Sequence, residues 1–541
     1  MKLNLIKILF ISLCLGLLSG CKIAIEKGGS NVLKTSNTTQ IKKESDSSGG
    51  NADGYSGLRI NVDQKLQPGV RSFGTINGGT APYTIEVSDE DVKIKQLTDS
   101  SFSIDVKTDI TATRVTIRVT DSVGAVVEET LEIVYLQYDY IRGRREVSNE
   151  IKRDQEGNFY ILGYEYLTNG YSWNADQRVF IRKYDQDFVI MPDYGKDGKL
   201  EIHFDWTDEV VGGSFDINPD GSILVTGIGV KNDENQVFVA TYDKDANLQD
   251  LKLIDLIESK NTKYVKLKRD QNGNSYIYGY YWWERERSYY FKGSSFIVKL
   301  DKDLEIDRNF ANQGIYEFSK TRSNGIKDVL LHSNGSIYIG INYGIYSTGT
   351  AGYIYRMNSS GQLDTSFAGS EEGLRLKNPL RPRTHRTVVN LVEIPGSDKI
   401  IMGARYQAQS RNFRSGLLKF STEGIVDQSF GDSGHAVFEE QDIDQPRISE
   451  SLRKVILGRD GYLYGVIAEG YQARAVFLVK YDLDGNSSRG FYKDGAIKLS
   501  IGNRTATYIN DLIQNPDMSL KLVGVRGWSG SGRHLFVSIR Q

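Results

Sequence analysis

The residues of this chain able to do covalent or acid–base chemistry are few and scattered. It has two cysteines in 541 residues, Cys14 and Cys21, and five histidines, His203, His332, His385, His435 and His534. Both cysteines lie at the extreme N-terminus, so disulfides, cysteine-held zinc, iron–sulfur clusters and thiol nucleophiles are excluded from the bulk of the chain. The histidines show no metal-ligand spacing, and no metal or other cofactor is expected. Gly431-Asp432-Ser433-Gly434 sets a serine between glycines, but no histidine and buried carboxylate can be matched to it. Turns such as Asp243-Lys244-Asp245-Ala246-Asn247 and Asp301-Lys302-Asp303 are rich in carboxylates. They lack the central glycine and distal glutamate of a calcium loop, and Asp and Asn favour such turns through local backbone hydrogen bonds.

The more informative side chains are aromatic and basic. They include Tyr164, Tyr166, Tyr171 and Trp173, then the run Tyr280-Tyr281-Trp282-Trp283-Glu284-Arg285-Glu286-Arg287-Ser288-Tyr289-Tyr290. Tyr343, Tyr346, Arg405, Tyr406, Tyr471, Arg526 and Trp528 follow at wide intervals. Such rings and guanidinium groups can stack on sugar rings or anchor a protein partner. The strongest binding candidates are Tyr171, Trp173, Trp282, Trp283, Arg285, Arg287, Tyr289, Tyr290, Tyr346, Tyr406 and Trp528.

One cysteine has a chemistry of its own. Lys2 and Lys7 form a basic start, residues 8–17 an apolar stretch, and Leu18-Ser19-Gly20-Cys21 its end. The apolar stretch is shorter than the ~20 residues that span a bilayer but suits a signal peptide. The last four residues resemble the bacterial lipobox. That resemblance implies a signal peptide over residues 1–20, cleavage before Cys21, and acyl chains on Cys21 that anchor the protein in a membrane. Lys22 is not the aspartate that retains lipoproteins in the inner membrane of enteric bacteria, so in a two-membrane host the outer membrane is expected, on its periplasmic or surface side.

The anchor needs elements to present. Residues 21–56 are rich in Ser, Asn, Thr, Lys and Gly and too poor in apolar residues to fold, and read as a flexible tether. Residues 57–136 alternate with period two, as in Leu58-Arg59-Ile60-Asn61-Val62 and Val115-Thr116-Ile117-Arg118-Val119, which predicts a small β-sandwich. Gly78-Gly79-Thr80-Ala81-Pro82-Tyr83 resembles the start of bacterial Ig-like and PKD-like domains, which implies a spacer.

Residues 137–541 repeat. The segment Asp154-Gln155-Glu156-Gly157-Asn158-Phe159-Tyr160-Ile161-Leu162-Gly163 returns in copies that end at Gly227, Gly279, Gly340, Gly403, Gly465 and Gly524, spaced 52 to 64 residues apart. A second strand also recurs seven times, as in Phe180-Ile181-Arg182-Lys183-Tyr184-Asp185 and Phe477-Leu478-Val479-Lys480-Tyr481-Asp482. Several copies add a tail such as Leu363-Asp364-Thr365-Ser366-Phe367 or Val426-Asp427-Gln428-Ser429-Phe430-Gly431, so Gly431 belongs to a repeat turn where other copies carry Ala311 and Ala368. These residues resemble the delta-60 β-propeller repeat, which implies an all-β, seven-bladed propeller. The chain ends just after a third strand, so Tyr138-Asp139-Tyr140-Ile141-Arg142 is expected to supply the missing outer strand. In a propeller the loops that carry the aromatic residues share one face.

Composition agrees with an all-β chain: 32 Tyr, 55 Gly and only nine Pro. A net charge of −2 argues against nucleic acid as a partner. The expected function is a lipid-anchored, non-enzymatic binding module of the cell envelope whose aromatic propeller face holds a protein or glycan. The alternatives are a polysaccharide-degrading lyase or glycosidase, which needs acids and bases converging near the axis, and a scaffold for envelope assembly.

Overall fold

The computed structural model describes residues 57–540, apart from 63–64, 67–70, 108–111, 113, 134, 140–145, 167–176, 233, 257–261, 288–289, 319–322, 346–348, 381–385, 410–411, 439–449, 470–474, 489–490, 492–495, 500–506 and 527–532. Cys21 and the tether lie outside the described residues, as do His385 and the candidates Tyr171, Trp173, Tyr289, Tyr346 and Trp528.

Residues 59–133 form two four-stranded sheets. One contains Arg59–Val62, Arg71–Asn77, Ser101–Val106 and Val92–Thr98; the other contains Lys65–Leu66, Val126–Ile133, Arg114–Thr120 and Thr84–Val87. Val115, Ile117 and Val119 are buried while Thr116 between them is half-buried and Arg114 and Arg118 are exposed, which is the alternation a half-buried strand requires. These residues share one core with Phe102, Ile104 and Leu131. Asp121 ends the turn before the last strand by accepting the N–H groups of Thr80, Val123 and Ala125.

Seven further four-stranded sheets follow in chain order, each antiparallel and each made of consecutive strands except the last. Their inner strands are Glu146–Arg153, Glu209–Ile217, Thr262–Arg269, Ser323–Leu331, Arg386–Glu393, Glu450–Leu457 and Thr507–Gln514. These strands touch in sequence around a closed circuit, with the first also against the seventh. The molecule therefore contains a seven-bladed β-propeller. The seventh blade takes its outer strand from upstream: Tyr135–Asp139 pairs with Arg533–Arg540, Tyr138 facing Val537. The added strand covers the edge of Arg533–Arg540 and gives the seventh blade the same four strands as the others.

The repeated residues have identifiable jobs. Six of the seven inner strands carry a β-bulge near the middle; in the third blade the irregularity sits earlier, between Thr262 and Tyr264. The bulge or the strand twist turns a carbonyl onto the second strand. A Cβ at Gly163 or Gly524 would stand 2.3 or 1.9 Å from the oxygen of Val147 or Tyr508, so glycine is required there. The tails of blades three, four and five dock each onto the next blade. Phe310, Phe367 and Phe430 are buried, and the residue after each donates its N–H to the neighbouring blade's turn: Ala311 to Ser360, Ala368 to Glu423, Gly431 to Asp484. The serine of Gly431-Asp432-Ser433-Gly434 belongs to this docking turn.

Candidate functional site

The propeller axis is lined by one residue from each inner strand, always four positions before the first residue of the following turn. In blade order they are Glu150, Ser214, Lys266, Asp328, Asn390, Lys454 and Asp511. The bulge explains their placement in six blades: it resets the side-chain alternation so that this position faces the axis. Nothing in the sequence analysis singled them out. The available signal was a polar residue at constant distance from each turn, in a strand whose next residue is always buried and apolar (Ile151, Phe215, Leu267, Val329, Leu391, Val455, Leu512).

These groups are joined by hydrogen bonds and ion pairs. Glu150 accepts from Ser214 Oγ at 2.8 Å and pairs with Lys266 at 3.4 Å and Lys152 at 3.7 Å. Lys152 also reaches Asp216 at 2.8 Å. Asp328 accepts from Leu391 N at 2.9 Å and Tyr278 Oη at 3.2 Å, with Lys268 at 3.5 Å. Asp511 accepts from Ile151 N at 3.2 Å and pairs with Lys454 at 3.3 Å. Asn390 both donates to Val455 O and accepts from Val455 N. Three of these side chains thus tie one inner strand to the backbone of the next blade: Asp328, Asn390 and Asp511. Burial would raise the Glu150 carboxyl, but Lys266, Lys152 and the Ser214 hydroxyl outweigh it and hold its pKa down to about 2. Burial presses on the Lys266 ammonium as well, yet Glu150 carries its pKa upward. Lys454 is raised chiefly by Asp511.

On the side of the turns between first and second strands, the axis widens into a cavity of about 620 Å³. Its lining includes Glu150, Lys152, Lys268, Lys454, Arg459 and Asp511. Charged side chains make up half of this lining, with apolar ones such as Leu267, Ile456 and Leu512 between them. On the opposite side of the ring, toward the aromatic segments, Lys327, Arg405 and Arg453 lie over the rings of Tyr280, Phe413 and Tyr508.

Among the described residues, the aromatic candidates divide in two. Tyr406 is a correction: it is wholly buried in the core between blades four and five, and its hydroxyl meets His435 Nδ1 at 2.9 Å. A ring packed on every side cannot meet a ligand. Tyr406→Phe is expected to cost about 1 kcal/mol in urea denaturation and to leave any ligand affinity unchanged. The blade-three run, read as a loop, is mostly strand. Ser275–Arg287 and Tyr290–Leu300 form a long hairpin in which Trp282 faces Gly293, Arg285 faces Phe291 and Arg287 faces Tyr290. Trp283 lies at a bulge within it. Tyr281, in the same run, is buried with its hydroxyl 3.0 Å from Glu317.

The chain matches no protein-family model and no curated protein. Solved structures resemble it only distantly. Semaphorin 2a of Drosophila is 9% identical, with a TM-score of 0.42 over 75% of each chain. The polysaccharide lyase Uly1 is 10% identical, with a TM-score of 0.40 over 73% of this chain and 89% of that one. An auxiliary nutrient binding protein from Bacteroides ovatus ATCC 8483 is 10% identical, with a TM-score of 0.34 over 89% and 98%. The propeller is established by its own strand order.

Three of the histidines are buried within the blades rather than gathered at the axis. His332, His435 and His534 are each less than a tenth exposed, whereas His203 is exposed. His534 lies at the seam of blades one and seven, against Ser148 Oγ, with Tyr184 Oη at 3.4 Å from its Nε2 and the Phe536 ring 4.2 Å away.

Proposed function

We propose that this protein is a lipid-anchored binding module of the bacterial cell envelope, held by acyl chains on Cys21. Its β-sandwich is an Ig-like spacer, and its delta-60 propeller holds a protein or glycan ligand. The observation that supports a non-enzymatic role most is the state of the axial charges. Carboxylates do converge at the axis, as a glycosidase or lyase would need. Each, however, is engaged by a lysine or by a neighbouring blade's N–H. A carboxyl held near pH 2, such as Glu150, is a poor proton donor at neutral pH, where general acid–base catalysis needs a pKa close to the working pH. Ions fixed in this way suit recognition of a polar ligand rather than proton transfer.

The test has two arms on the full-length protein. In cells, metabolic labelling with a palmitate analogue is expected to mark the wild type and not Cys21→Ala; equal labelling removes the anchor. In vitro, incubation with a panel of polysaccharides is expected to release no new reducing or unsaturated ends while glycan or protein ligands are retained. Product formation abolished by Asp511→Asn would replace this reading with the enzymatic one.

A further inference from the structure

The two mouths of the axial channel differ in charge balance. Within the ring and the funnel, Lys152, Lys266, Lys268 and Lys454 all have carboxylate partners. One step toward the aromatic side, the bulge residue of blade four is Lys327 and that of blade six is Arg453. They occupy the same register in their blades, so the propeller repeat sets them at one level of the channel wall. Neither forms an ion pair among the described residues. Each instead lies over a tyrosine: the Lys327 ammonium is 5.8 Å from the Tyr280 ring centre and the Arg453 guanidinium 5.5 Å from that of Tyr508. A cation–π contact fixes the direction of a cation and leaves its N–H donors free for an acceptor. Lys327 is half-buried and Arg453 exposed.

The surroundings add to the positive field. Arg405 of blade five, stacked 3.9 Å from the Phe413 ring centre, lies near enough to Arg453 for the two like charges to weaken its hold on a proton, after burial. Burial likewise lowers the Lys327 ammonium. Holding Arg405 and Arg453 together, with Lys327 partly desolvated nearby in the repeat, is unfavourable unless an anion completes the site. Beside Lys327, Tyr280 and Tyr264 stack with ring centres 5.7 Å apart and planes 20° apart, both half-buried. Tyr280 belongs to the strand that continues into the long blade-three hairpin carrying Trp282 and Trp283. Cations beside a platform of aromatic rings match a sugar that carries an acidic group.

We propose that the aromatic-side mouth of the channel is an anion-recognition site for an acidic saccharide, with Lys327 and Arg453 holding its carboxylates and the Tyr264–Tyr280 pair contacting its ring. This rests on the binding reading above and names its substrate class. Charge-assisted hydrogen bonds to carboxylates supply the selectivity, and a neutral sugar would leave the cations unanswered.

The test measures retention of polygalacturonate, and of the same polymer with its carboxyl groups reduced to alcohols, by the full-length protein. Lys327→Met and Arg453→Met serve as variants, each checked by its thermal unfolding curve. The expected result is binding of the acidic polymer alone, weakened at least about tenfold by either substitution and by raised ionic strength. Equal binding of both polymers, insensitivity to both substitutions, or no binding by the wild type would overturn the site. Where a variant fails to fold, the wild type's preference between the two polymers and its salt dependence decide the matter. Cleavage of polygalacturonate with retention still dependent on Lys327 and Arg453 would overturn the non-enzymatic reading and leave this site standing.

Discussion

Glu150→Leu is expected to destabilise the propeller by about 2–3 kcal/mol, the cost of leaving a half-buried charge without its partner. Lys266 and Lys152 both point at Glu150, and Ser214 donates to it, so the substitution strands an ammonium and orphans a hydroxyl in one step. Glu150→Leu combined with Lys266→Met is expected to recover at least half of the loss, because a pair of apolar side chains can replace a buried ion pair at little net cost. Urea denaturation of the wild type, both single variants and the double variant gives the coupling directly. A single-variant loss under about 1 kcal/mol would mean that the ring carries no structural load and that its charges serve a ligand alone. Because the Glu150 carboxyl sits below its ordinary value, its contribution is present above that value and fades as pH falls toward about 2.

Acid is expected to weaken the ring closure well before it reaches Glu150. Burial pushes His534 down to about 3, with the Arg182 charge adding to the effect, and pushes His435 down to about 4 against the opposing pull of Asp432. Both values lie below that of an exposed imidazole, so the unfolded chain takes up protons that the folded one refuses. The stability these neutral rings contribute is complete above about pH 6.5 and declines as pH falls below it. At about 1.4 kcal/mol per pH unit for each histidine, His534 alone removes roughly 2–3 kcal/mol by about pH 4.5. Its neighbours at the blade-one and blade-seven seam include Ser148, Tyr184 and Phe536, with the buried Arg182–Glu146 pair 2.5 Å apart close by. Protonation there therefore bears on the contact that closes the circle. His534→Gln is expected to reduce the pH slope of the unfolding free energy between about pH 6.5 and 4.5 by about one proton. Urea titrations at several pH values measure it, and an unchanged slope would remove His534 as the acid-sensitive element.

Much of the fold was legible because its repeats are local. A turn of the Asp154-Gln155-Glu156-Gly157 kind closes itself: Asp154 accepts the N–H of Asn158, Asp243 those of Asp245 and Asn247, Asp482 those of Asp484 and Asn486. Such turns leave a spacing that survives divergence of the strands between them. The upstream strand was expected at residues 138–142 and lies at Tyr135–Asp139, so its first two residues come from the stretch assigned to the sandwich, and residues 140–142 lie outside the described residues. The glycine spacing drifted for a physical reason. Gly163, Gly227 and Gly524 sit one place after the partner of the axial residue, whereas Gly340 and Gly403 face Asp328 and Asn390 directly.

The axial ring was not legible in the same way. Within a single strand, Glu150 or Lys454 reads as one more polar residue on an alternating strand, and its bulge has no sequence mark of its own. The same limit misplaced Tyr406, since a tyrosine beside a strand-ending glycine faces the loop or the core according to the pairing of its neighbours. Amino-acid order by itself determined the period, the turns and the alternation, because each depends on short-range spacing along the chain. Tertiary structure alone decided which charges meet at the axis and which cations gather on its aromatic side. Those meetings join residues from all seven blades, and only closing the circle brings them within reach of a Coulomb interaction.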